Sequence, residues 1–108
     1  MLRHSVIAAL ALVSLAGAAA AQSAKPSKRD ALGCSDRSLQ DRISTIANSG
    51  DREAFQKIAT AGVMSGKCKV VKEGTALFLE DTALMSGLAC FRPTGEVQCL
   101  WMPIDLTR

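Results

Sequence analysis

Four cysteines, one histidine and one pair of adjacent carboxylates are the residues of this 108-residue chain whose types could support chemistry. Glu80 and Asp81 could serve as acid and base, but glycoside hydrolysis sets its two carboxyls roughly 5–9 Å apart around a sugar. Neighbours on a strand point to opposite faces, so this pair reads as solvated charge at a strand end. None of Ser35, Ser38, Ser44, Ser49, Ser65 and Ser86 sits in a G-x-S-x-G elbow. Cys34, Cys68, Cys90 and Cys99 lack the C-x2-C spacing of zinc or redox motifs. An even count in a small chain points instead to two structural disulfides.

The histidine belongs to a segment that reads as an export signal. Arg3 and His4 open it, Val6 to Leu15 form an apolar run broken only by Ser14, and small residues fill positions 16–21. Ala19 and Ala21 supply the A-x-A pattern, which places cleavage before Gln22. The apolar run falls short of the roughly 20 residues that a bilayer of about 30 Å requires. Cleavage would remove Arg3 and His4, leaving 12 basic and 10 acidic residues. The processed chain would then lack the imidazole of Ser-His-Asp, Cys-His and His-metal sites. The expectation is no catalytic residue, no metal and no cofactor. Near-neutral charge argues against a nucleic-acid partner, and the densest basic cluster, Lys67, Lys69 and Lys72, reads as a solvated strand edge whose lysines discourage pairing.

The elements that must position any site follow from periodicity. Residues 22–32 are mostly polar and aperiodic and read as a flexible leader, with one domain of residues 33–108 after it. Ser35 is the expected cap of a first helix, with Asp36 at its positive end and Leu39, Ile43, Ile46 and Ala47 on one face. Asn48-Ser49-Gly50 ends it. Asp51 caps a second helix whose face carries Ala54, Phe55, Ile58 and Ala59, closed by Gly62 and Ser65-Gly66. So short a connection predicts antiparallel neighbours.

Strands follow at Cys68 to Val71, Thr75 to Glu80, Leu84 to Arg92 and Val97 to Met102, with a turn at Glu73-Gly74 and Pro103 ending the pairing. The predicted fold is α+β: an N-terminal antiparallel helix pair on a small four-stranded antiparallel sheet or barrel, stapled by disulfides. The helix pair brings Cys34 back toward Cys68. A two- or four-residue loop at Pro93-Thr94-Gly95-Glu96 sets Cys90 opposite Cys99, at bridging distance. A type I turn with Gly95 as a bulge would slip that register by one and strain the bridge, so the other two connectivities stay open.

The stretch from Cys68 to Trp101, with its short strand, Glu-Gly turn, TALFLE strand and hairpin ending in Trp, resembles bacterial SH3-like modules of small exported proteins. The helix pair, with SGDREAF at its bend, is similar to the helical leader of short proteobacterial periplasmic proteins of unknown role. The chain departs from peptide-binding SH3 domains: Cys99 precedes Trp101, and most of the aromatic cluster for proline-rich ligands is missing.

These readings lead to a non-catalytic binding module, periplasmic or secreted, that recognises a protein or cell-envelope component and keeps no membrane span after cleavage. Trp101, Phe91 and Phe78 are the candidate contact residues, with Arg92 and Thr94 beside them and Met85 and Met102 in reserve. A chain this poor in aromatics must also spend them on its own core. Two alternatives stand: an inhibitor of an extracellular hydrolase such as lysozyme, presenting a rigid Arg92 to Glu96 loop, or an accessory of a cell-envelope or secretion apparatus.

Overall fold

A computed structural model of the chain describes residues 23–108, so the expected export signal lies outside the described residues. Two helices form where the apolar repeats occur: α1, Arg37–Ser49, and α2, Arg52–Met64. Asp36, rather than Ser35, caps α1. Its carboxylate accepts the N–H groups of Ser38 at 2.8 Å and Leu39 at 3.4 Å, a charge placed at the positive end of the helix. The Ser35 hydroxyl instead donates to the Lys67 carbonyl at 3.3 Å. Gly50 at φ 81° ends α1 in the left-handed region that glycine enters without strain. Asp51 then accepts the Ala54 N–H at 3.0 Å and starts α2.

The expectation of four strands following the helices is corrected. Among the described residues, six strands form one antiparallel sheet, and the helix pair is inserted between the second and the third. They are β1 (Lys25–Pro26), β2 (Ala31–Cys34), β3 (Cys68–Val71), β4 (Ala76–Ala83), β5 (Leu88–Pro93) and β6 (Leu100–Pro103). Residues 25–34, most of which composition assigns to a leader, supply β1 and β2. β1 contributes mainly backbone hydrogen bonding, which a polar sequence provides as well as an apolar one, while β2 adds Ala31, Leu32 and Cys34 to the interior. Pro26 fits because β1 is an edge strand.

β1 and β2 are two halves of one bent strand running against residues 68–77. Cys34 lies opposite Cys68, Ala31 opposite Val71, Pro26 opposite Ala76 and Lys25 opposite Leu77. Across the bend the Ser27 N–H donates to Thr75 at 2.9 Å, and the Gly74 N–H donates to Ser27 at 2.7 Å. The sheet order is β1-β4-β5-β6-β2-β3. Its first and fifth strands are thus joined by only residues 27–30, which forces the sheet to curl on itself.

Inside the curl lie Val71, Leu77, Ala89, Phe91, Met102 and Leu106. A second cluster sits between sheet and helices, where Cys34, Ile43 and Cys68 are covered by Leu32, Leu39, Phe55 and Ile58. Three further boundaries differ from expectation. β4 continues past Glu80 through an irregularity between Leu79 and Asp81, and Leu84–Ser86 is a 3-10 turn, so β5 begins only at Leu88. β6 begins at Leu100, with Cys90 opposite Trp101 rather than Cys99. The longer loop arises because β5 keeps pairing with β4 as far as Pro93, which lies opposite Leu77.

The disulfides join Cys34 to Cys68 and Cys90 to Cys99, with Cα separations of 4.0 and 5.2 Å. The first explains an unusual glycine. Gly62 lies inside α2, where alanine would ordinarily add about 1 kcal/mol of stability. A Cβ there would lie 2.7 Å from the Cys68 sulfur and 3.3 Å from its Cβ, and a sulfur held in a cross-link has little room to retreat. Overpacking costs about 1–3 kcal/mol. Gly62→Ala is therefore expected to destabilise the oxidised protein, read as a lower urea midpoint, and a raised midpoint would contradict this packing.

Candidate functional site

The structure separates the five candidate contact residues. Opposed residues in a ladder share a face and successive ones alternate. Phe78 and Arg92 are cross-strand partners, and Arg92 shares its face with Cys90 and therefore with Trp101. Phe91 points the other way into the curl, is 3% exposed and belongs to the core. Met102 is also core, whereas Met85 is fully exposed.

The two outward rings are already engaged. The Arg92 guanidinium carbon lies 4.7 Å from the Phe78 ring centroid, and that of Arg37, the first residue of α1, lies 5.7 Å from the Trp101 centroid. Both distances suit a cation–π contact. Arg92 also donates to Glu80 at 2.8 Å and to the Glu96 carbonyl at 3.4 Å. Glu80 is thus neutralised by a neighbour, and the Asp81 carboxylate accepts the adjacent Thr82 N–H at 2.8 Å.

The loop after β5 is braced from several sides. The Thr94 hydroxyl donates to the Ala76 carbonyl at 3.1 Å, and the Thr94 N–H reaches the same oxygen at 3.0 Å. The Glu96 N–H donates to Pro93 at 3.0 Å across a turn with Gly95 at φ 89°. Glu96 is also ion-paired with Lys69.

A different surface carries the open apolar area. Between α2 and strands β2 and β3 runs a groove of about 460 Å³, whose apolar lining includes Leu32, Phe55, Ala59, Val63, Met64 and Val70. Val63 is 43%, Val70 54% and Met64 83% exposed, so much of this lining meets water in the isolated chain. Two features make it firm. The Cys34–Cys68 bridge staples β2 to β3 beneath the helices. The buried Gln40 of α1 donates from Nε2 to the Leu32 carbonyl at 3.0 Å, fixing α1 to β2. The signal for this groove is present in the sequence, since Phe55, Ala59 and Val63 recur every four residues. A helix face read only as far as Ala59 misses it, because periodicity does not say that the face outruns the sheet beneath it.

Charge is distributed unevenly around this edge. β3 is the last strand of the sheet and has Lys67 just before it and Lys72 just after it. Lys72 lies 3.9 Å from Asp30, with both side chains largely exposed, and Lys67 has no carboxylate in ion-pair range among the described residues.

Among the described residues, no group of three or more His, Cys, Asp or Glu side chains is arranged to hold a metal ion. No helix among them is long and apolar enough to cross a membrane. The two disulfides are compatible with an oxidising compartment outside the cytoplasm. No protein-family model matches the chain, and neither does any curated protein or solved structure.

Proposed function

We propose that the chain is a non-catalytic binding module, periplasmic or secreted, that captures a protein partner through the groove between α2 and β3. One observation carries the reading. Of the seven exposed large apolar side chains among the described residues, three, Val63, Met64 and Val70, converge on a single groove over a cross-linked floor. Scattered exposed apolar residues are ordinary, whereas a contiguous apolar groove with a polar rim marks an interaction site. A floor stapled before binding lowers the ordering cost of association. Trp101 and Phe78, their rings engaged by Arg37 and Arg92, take a supporting place in this reading.

Selection of short peptides from a random display library on the processed, oxidised protein tests it. Enriched peptides are expected to lose at least about tenfold in affinity on Val70→Asp or Met64→Asp, since each places a charge in a desolvated contact. Both side chains are exposed, so these variants should melt close to the parent. Failure to enrich any binder, or binders indifferent to both substitutions, would overturn the assignment.

A further inference from the structure

We infer that the occupant of the groove is an extended peptide segment that adds as a seventh strand to the free edge of β3, with an acidic residue at each end. The inference rests on the binding-module reading and specifies its partner. β3 pairs through β2 on one side only, and no strand lies on its other side among the described residues. Its outward N–H and C=O groups call for partners. A strand laid about 4.8 Å from β3 satisfies them, which a helix lying in the same groove cannot do.

Register then fixes the side chains. Cys68 and Val70 point to the helix side of the sheet, where Cys68 joins the cluster under the helices and Val70 lines the groove. An antiparallel strand places one residue opposite each of Cys68 and Val70 on that side, and these two should be apolar. Lys67 and Lys72 flank the strand, so acidic residues belong opposite both. From its N-terminus the segment reads acidic, any, apolar, any, apolar, acidic, pairing Lys72 with its first residue and Lys67 with its last.

The same lysines argue against a second copy of this chain. Two β3 edges paired antiparallel about their midpoint would set Lys67 opposite Lys72 twice, and like charges directly opposed are destabilising. The edge lysines thus reject self-pairing while selecting an acidic strand.

The probe is the capped peptide Glu-Thr-Val-Thr-Val-Glu, titrated at low salt into the processed, oxidised protein and followed by fluorescence anisotropy and amide exchange. Binding is expected to slow exchange of the Val70 amide, which faces the free edge because the Ser35 N–H bond to Lys67 sets Lys67, Lys69 and Val71 toward β2. A peptide with lysine at both ends should bind roughly fivefold or more weakly, and the double variant Lys67→Glu, Lys72→Glu should reverse that preference. N-methylation of both valines and of both threonines blocks opposite edges of the peptide, so one version should lose at least about tenfold and the other much less. Equal binding by both methylated versions, no reversal by the charge swap, or a dimer that the peptide leaves intact would each overturn strand addition. Display peptides that fill the groove in helical form would overturn it while leaving the binding module standing, and the absence of any groove binder would remove both.

Discussion

Joint replacement of Cys34 and Cys68 by alanine is expected to lower stability by about 4 kcal/mol, the larger effect of the two disulfides. The cross-link spans a sequence separation of 34, against 9 for Cys90 and Cys99. The loop-closure relation then assigns about 2.5 kcal/mol to the shorter bridge. Packing widens the gap in the same direction. Cys34 and Cys68 are both buried against Ile43 and its neighbours, whereas in the second pair only Cys90 is buried and Cys99 is partly exposed, so the first replacement empties more of the interior. Domains of this size hold roughly 5–15 kcal/mol in total. The Cys34, Cys68 double variant should therefore sit near the edge of folding, while the Cys90, Cys99 variant remains folded. Urea midpoints of the two double variants and the oxidised parent measure this directly, and the reverse order would contradict the assigned roles.

Leu106→Ala is expected to cost about 3 kcal/mol, which for a domain of this length corresponds to a fall in Tm of roughly 15 °C. The size of the effect is unexpected for a residue two positions from the C-terminus. Leu106 is nonetheless fully buried, and packs inside the curled sheet with Leu77, Phe91 and Met102. The 3-10 turn that carries it, Ile104–Thr107, is held at both ends. The Ile104 N–H donates to Gly87 at 3.0 Å, the Lys28 N–H donates to the Leu106 carbonyl at 2.9 Å, and Arg29 pairs with Asp105 at 3.0 Å. Leu84→Ala is the control, because Leu84 is mostly exposed and should shift stability by no more than about 0.5 kcal/mol. Thermal melts of the two variants would show a wide difference, and similar melts would refute this role for Leu106.

The helices are legible because each signal is local, although the first cap is displaced by one residue, from Ser35 to Asp36. Asp36 and Asp51 accept N–H groups two or three residues ahead, and Gly50 turns the chain where its sequence says it should. β3 and the Cys34–Cys68 pairing were legible for the same reason, since a helical hairpin returns the chain to its starting end. β1 and β2 were not. Their pairing partners lie near residues 68–77 and at Trp101, and backbone bonds to distant segments leave no trace in side-chain pattern. The loop between β5 and β6 misled for a subtler reason. Its length depends on how far β5 keeps pairing with β4, a competition that the hairpin sequence alone does not record.

The candidate contact residues show a comparable division. Size and aromaticity single out Phe91, but whether it faces the core or the solvent is a matter of parity along β5, and the register decides it. The groove has no distinctive sequence signature because it is made mostly of ordinary aliphatic residues. Val63, Met64 and Val70 become conspicuous only when a helix and an edge strand come to lie side by side.

The bent N-terminal strand also dictates an order of assembly. The first described residues of the chain find their ladder partners among residues 68–77 and at Trp101, so they must wait until the helix pair and the strand after it are in place. The helical hairpin can form from neighbours alone, whereas the pairing of β1 and β2 with distant strands requires long loops to be drawn shut, a feature of slow-folding topologies. The bent strand thus stays without ladder partners until those later segments arrive.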